Sequence, residues 1–281
     1  MNSTMCALRF LILLTTGLAS FGATCLAADF IRVRDTATSS ILETAVFTYE
    51  KNGVKVDLIG AIHLADRSYY EMLNTYFKSF DVVLFEMIGG ENLGAKKINA
   101  PDLQPEKPNK LAALGLIYGG MEKALGLTGQ SSEIDYLAKN FVHADLTIAE
   151  FEAAQKARSE SLLSFMIHAG INAEKPSHQP NSLHLIRGLI SRQPDLVKQE
   201  LIHTMAAGDT NINSVPSENV IINDRNAKCI RVLNQQITAG KKKIGIFYGA
   251  AHLPDLQTQL LAMGFQPASQ KWFAAWQIPK K

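Results

Sequence analysis

The chain has 281 residues, of which 47% are hydrophobic and 19% charged, and its formal net charge is +2. Such a composition supports a folded core and excludes an intrinsically disordered chain. The near-neutral balance, with no basic stretch beyond Lys241-Lys242-Lys243, excludes a nucleic-acid footprint.

Residues 1–28 have the layout of a secretory signal peptide. Arg9 supplies a positive start, Phe10 to Ala19 a short apolar core, and Cys25-Leu26-Ala27-Ala28 a small-residue end. That core is too short for a comfortable membrane span. Cleavage near Ala27 or Ala28 is therefore expected, leaving residues 29–281 as one exported domain, secreted or periplasmic and without a stable membrane span. An uncleaved anchor is the alternative. Cys6 and Cys25 would leave with the signal, so Cys229 has no partner for an intramolecular disulfide and reads as a buried thiol.

The mature chain opens with a predicted hairpin, Thr44 to Tyr49 and Val54 to Ile59, around Lys51-Asn52-Gly53, where Asn-Gly supplies positive φ. Gly60-Ala61-Ile62-His63 follows, and then a helical pattern holding Tyr69, Leu73, Tyr76 and Phe80, with Asp66 placed to cap it. A strand through Val82-Val83-Leu84-Phe85 ends on Glu86. The β-α-β order with an apolar second strand predicts parallel pairing and a right-handed crossover. Residues 98–109 read as a loop, and from there to about Ala239 only helices are expected, including an apolar one over 111–125. Thr147-Ile148-Ala149-Glu150 is a capping box opening a long helix. A polar connection covers 175–182, and Ser217 is placed to cap the last long helix. The chain then repeats its beginning: a strand through Lys243 to Tyr248, Gly249-Ala250-Ala251-His252, a helix with Leu256, Leu260 and Leu261, and a final strand over Lys271 to Ile278. The expected fold is α/β: a mixed, largely parallel sheet built from N- and C-terminal segments, with a helical region, about 107–240, capping the cleft.

The twofold G-x-x-H pattern is the main chemical signal. Each histidine follows a strand and a glycine, which places both imidazoles at the carboxyl edge of the sheet, where ligands of open α/β folds gather. Glycine there permits a tight turn or close backbone approach. Glu86 ends a neighbouring strand, and a carboxylate after four apolar residues is costly to bury unless it is paired. Two histidines and a glutamate suit either a divalent metal that activates a bound water or a histidine general base acting on free water. His143 and Asp145, in Phe141-Val142-His143-Ala144-Asp145-Leu146, would face the cleft from the cap, just before a helix. Arg225 and Asn226 lie in the polar stretch Asn223-Asp224-Arg225-Asn226, where Arg225 would clamp a substrate carboxylate or pair with Glu86. These four residues are the expected substrate-binding set. His168, His178, His184 and His203 read as structural. No G-x-S-x-G elbow, H-E-x-x-H, C-x-x-C or phosphate-binding glycine loop is present.

Gly60-x-x-His63, the strand ending in Glu86, Asp224-Arg225-Asn226 and Gly249-x-x-His252-Leu253-Pro254 together resemble the TraB/PrgY/GumN family, which includes the Tiki proteases. More distantly they are similar to the erythromycin-esterase and ChaN-like superfamily. The resemblance covers roughly residues 40 to 278. The family pattern usually has Glu-Arg-Asn where this chain has Asp224-Arg225-Asn226, a carboxylate shorter by one methylene. The resemblance implies an α/β fold with catalytic His63, Glu86 and His252. In the Tiki branch it implies metal-dependent proteolysis, with those three residues holding manganese, cobalt or zinc. In the esterase branch similar residues work without metal, and ChaN-like relatives bind haem. The expected function is thus an exported hydrolase, foremost a metal-dependent peptidase acting on a peptide or small molecule. The alternatives are a metal-independent esterase-like hydrolase and a non-catalytic haem- or peptide-binding protein.

Overall fold

The computed structural model describes residues 29–93, 119–158, 180–212 and 220–280. The signal segment, the 98–109 loop, most of the helix expected over 111–125, most of the 175–182 connection, Ser217, His168 and His178 lie outside the described residues.

The frame of the fold is β2 (Ser39–Lys51), a strand of 13 residues. One of its edges pairs first with β1 (Ile31–Asp35) and then with β3 (Val54–Ala61), and its other edge pairs along its length with the C-terminal strand β9 (Gln266–Pro279). All three pairings are antiparallel. The β2–β3 hairpin turns at Asn52 (φ 49°) and Gly53 (φ 75°), the double positive φ that Asn-Gly was expected to supply.

Beyond β3 the sheet becomes parallel. β8 (Lys243–Gly249) lies between β3 and β5 (Val82–Phe85), and β5 pairs in turn with β7 (Phe141–His143). Strands from both ends of the chain therefore interleave, and the α/β expectation of a mixed, largely parallel sheet holds. Alternation along these strands feeds two cores, because successive side chains leave opposite faces. Val56, Leu58, Val82, Leu84, Ile244 and Ile246 face one side, and Ile59, Val83, Phe85 and Phe247 the other. Helix α1 (Arg67–Phe77) inserts Tyr69, Tyr70, Leu73 and Phe77 into the second core. The helices Arg225–Thr238 and Leu253–Ala262 cover the first with Cys229, Leu233, Leu256 and Leu260. Cys229 is fully buried, as expected, and burial pushes its thiol up out of the reactive range.

Four local expectations fare differently. The capping box holds in both directions: Glu150 N–H donates to Thr147 Oγ1 at 3.1 Å, and Thr147 N–H to Glu150 Oε2 at 2.9 Å. Asp66 occupies the N-cap position of α1 but makes no cap bond; its carboxylate accepts instead from Gln277 N–H at 2.7 Å, which ties the helix start to β9. The all-helical middle is corrected by two short strands. Phe141–His143 joins the main sheet, and β6 (Thr128–Gly129) pairs with β4 (Leu64–Ala65). At three and two residues, neither is long enough for a period-2 pattern to register. Finally, Asn223 and Asp224 do not lie within a regular α-helix: Val220–Asp224 is a π turn, and the α-helix starts at Arg225. Such turns re-aim side chains and gather at functional sites. No helix among the described residues is long and apolar enough to cross a membrane.

Candidate active site

β3, β8 and β5 are adjacent and parallel, so their carboxyl ends open at one edge of the sheet. His63 follows β3, His252 lies in the turn after β8, and Glu86 follows β5 directly. The first turn is fixed from below, where Tyr69 and Tyr70 of α1 donate their hydroxyls to the carbonyls of Gly60 (2.9 Å) and Ile62 (2.8 Å). The Gln130 N–H donates to the His63 carbonyl at 2.9 Å. In the second turn Gly249 has an ordinary negative φ of −50°, so left-handed backbone is not its role. Its N–H donates to Glu86 Oε2 at 2.6 Å, and a Cβ there would stand 3.2 Å from that oxygen. A side chain at this position would press on the carboxylate, so glycine eases the close approach.

Glu86 is 12% exposed and its other oxygen is also engaged: Oε1 accepts from Arg225 Nη2 at 2.6 Å. The same Nη2 donates to Asp145 Oδ2 at 2.6 Å, and Arg225 Nε reaches Asp145 Oδ1 at 2.9 Å. One guanidinium thus bridges two carboxylates, with Asp145 fully buried. Burial alone would raise the Glu86 carboxyl, but the Arg225 charge, followed by His252 and His63, outweighs it and holds Glu86 well below the usual carboxylate range. Burial works against the Arg225 charge too, yet Glu86 and Asp145 overcome it and push the guanidinium pKa up. The shifts of Glu86 and Arg225 both favour the charged pair, and the same guanidinium donates to both Asp145 oxygens.

His252 is 4% exposed and its tautomer is set by Asn226. The Asn226 amide nitrogen lies on two acceptors, the His252 carbonyl at 3.0 Å and Asp255 Oδ2 at 2.7 Å. Its oxygen must therefore face His252 Nδ1, 2.7 Å away, and that nitrogen carries the proton. Nε2 lies 3.3 Å from Arg225 Nη1 and 3.4 Å from Glu86 Oε1.

The structure thus joins Glu86, His252, Arg225, Asp145 and Asn226 into one network. Of the two readings offered for Arg225, the pairing with Glu86 is the one realised. Arg225 bonds to Asp145, Glu86 and His252, and Asn226 to His252 and Asp255, so these buried side chains frame the site. His63 stands at the same edge, exposed, and close enough for its charge to lower the Glu86 pKa. Its Nδ1 bonds to Gln130 Oε1 at 3.1 Å. His143 is in the sheet rather than on a cap; its Nε2 lies 2.7 Å from the Met87 carbonyl and its ring packs on Phe85. Asp224 forms a two-pronged pair with Arg158 at 2.8 and 3.0 Å, outside the network. Sequence reasoning missed Gln130 and Asp255, because isolated polar residues in these contexts carry no periodic or motif signal.

The donor set does not fit a divalent cation in this arrangement. Both Glu86 oxygens are taken by N–H donors, and His252 Nε2, the nitrogen a metal would need, faces a guanidinium. No group of three or more His, Cys, Asp or Glu among the described residues is arranged to hold a metal. For haem, His252 is turned inward, and of the pair His63 alone presents its ring at the surface. Compared with family models, curated proteins and solved structures, the chain gives no significant match.

Proposed function

We propose that the mature chain is an exported hydrolase of the TraB/PrgY/GumN kind that activates water with an imidazole and keeps Arg225, rather than a metal ion, against Glu86. His63 Nε2 takes a proton from water, the resulting hydroxide attacks the carbonyl of an ester or peptide, and the imidazolium returns the proton to the leaving group. Glu86, ionised and near His63, stabilises the imidazolium as it forms. His252 holds Glu86 in place from the opposite side. The observation that carries this reading is the Glu86 carboxylate fixed between Arg225 Nη2 and the Gly249 N–H, both at 2.6 Å, at the edge where both G-x-x-H turns open.

The test is turnover of p-nitrophenyl esters and fluorescence-quenched peptides by the purified mature protein, with and without EDTA, alongside elemental analysis. The expected result is hydrolysis that survives chelation and disappears in His63→Ala and Glu86→Gln. A stoichiometric metal whose removal abolishes turnover would restore the metallopeptidase reading. A haem absorbance band without hydrolysis would replace both with a binding function. Export is checked by N-terminal sequencing of the exported protein, which should begin near Ala28 or Asp29.

A further inference from the structure

We infer that Gln130 is the positioning residue of His63, holding the imidazole with its proton on Nδ1 so that Nε2 is the basic nitrogen. The inference rests on the hydrolase reading for its purpose, although not for its geometry. Two contacts join the two residues and a third joins their neighbours. Gln130 Oε1 lies 3.1 Å from His63 Nδ1, Gln130 N–H donates to the His63 carbonyl at 2.9 Å, and the flanking pair Leu64–Ala65 is bonded to Thr128–Gly129 as a two-stranded ladder. Ring and backbone of His63 are thus gripped by one residue.

Gln130 is itself immobilised. It is 8% exposed, and its amide nitrogen donates to the Tyr136 hydroxyl at 2.7 Å. Tyr136 is 9% exposed and packs its ring against Phe85 and Phe141. Phe85 immediately precedes Glu86, so the chain of contacts from His63 through Gln130 and Tyr136 ends on the strand that carries the carboxylate.

The same device is built on the other histidine, where the Asn226 carboxamide accepts from His252 Nδ1 and is oriented by its own nitrogen. Two G-x-x-H turns from opposite ends of the chain each carry an imidazole held at Nδ1 by a buried carboxamide. A neutral amide suits a general base, because it fixes the tautomer without adding to the negative charge that Glu86 already places near the ring. A carboxylate in its place would orient the ring equally well but keep it protonated to higher pH.

The experiment is long-range ¹H–¹⁵N correlation of the histidine rings in the full mature protein, with His63→Ala used to assign the His63 signals. The expected wild-type spectrum at a pH above the ring's titration shows a protonated Nδ1 and an unprotonated Nε2. The opposite tautomer would overturn the inference, since it would mean that the amide is reversed and Tyr136 donates to its oxygen. Gln130→Leu should release the ring into mixed tautomers, and kcat should fall about tenfold to a hundredfold with KM little changed. Gln130→Glu should keep the tautomer and move the acidic limb of the pH–rate profile upward by about one unit. If Gln130→Leu perturbs folding, Tyr136→Phe removes only the oxygen that orients the amide and should give a smaller change of the same kind. Ring signals unchanged in both Gln130→Leu and Tyr136→Phe would also overturn the inference. The tautomer result needs no substrate, so a correct tautomer without any hydrolysis would keep the positioning role and remove the hydrolase.

Discussion

Glu86 takes its ionised state from its neighbours, and this gives the site a definite pH response. Its folded pKa lies below the ordinary value because the Arg225 charge outweighs burial. A depressed carboxyl contributes stability that is present above its unfolded pKa, about 4.3, and is lost as pH falls through the lower folded value. Unfolding free energy from urea titration should therefore differ between wild type and Glu86→Gln by a constant amount across neutral pH. That difference should narrow only below the ordinary carboxyl range. Arg225 is the more sensitive partner, because its removal leaves Glu86 and the buried Asp145 facing each other without a counter-charge. Arg225→Met is expected to cost about 3–5 kcal/mol in a urea titration, and Arg225→Lys to recover only part of it, since one ammonium cannot reproduce the two-sided fork. The sequence made Glu86 conspicuous, as a carboxylate after four apolar residues, and raised its pairing with Arg225. It carried no sign that Asp145 would complete the trio, because that contact spans 80 positions and depends on how a π turn aims the helix.

At the scale of elements, the two turns share a motif but are built differently. The first is held by tyrosine hydroxyls from α1 and by Gln130, and the second by the Glu86 carboxylate and the Asn226 amide. Gly249→Ala should separate these roles, since its Cβ would press on Glu86 Oε2 from 3.2 Å. A loss of about 1–3 kcal/mol is expected, with the Gly249 amide becoming faster in hydrogen exchange than in wild type. Unchanged exchange would show that the close approach is not what the glycine supplies. The strand–glycine–histidine–helix units were legible because β3 and β8 are long apolar runs with clear ends. The Phe141–His143 strand was not, because three residues cannot display a period and a helix start follows closely. Asp66 shows the complementary failure: a good N-cap residue in the right place is claimed by a backbone N–H 211 positions away.

For the whole molecule, the parallel half of the sheet cannot form until both ends of the chain are present. β8 fills the position between β3 and β5, and β9 covers the remaining edge of β2. The site is consequently a property of the completed sheet, with contributions from Glu86, Asp145, Arg225 and His252 that meet only there. Periodicity made this interleaving readable, since similar units at the two ends with helices between them fit one sheet better than two domains. The central claim, that the two G-x-x-H turns and Glu86 act as one site, is tested most directly by a double-mutant cycle on turnover. Groups that act as a unit lose function together. Wild type, His63→Ala, His252→Ala and the double variant are compared by kcat/KM on one hydrolysed substrate, with folding checked by circular dichroism. The expected result is that each single variant falls close to background and the double variant is little worse. Losses that multiply, each histidine contributing independently of the other, would contradict the account.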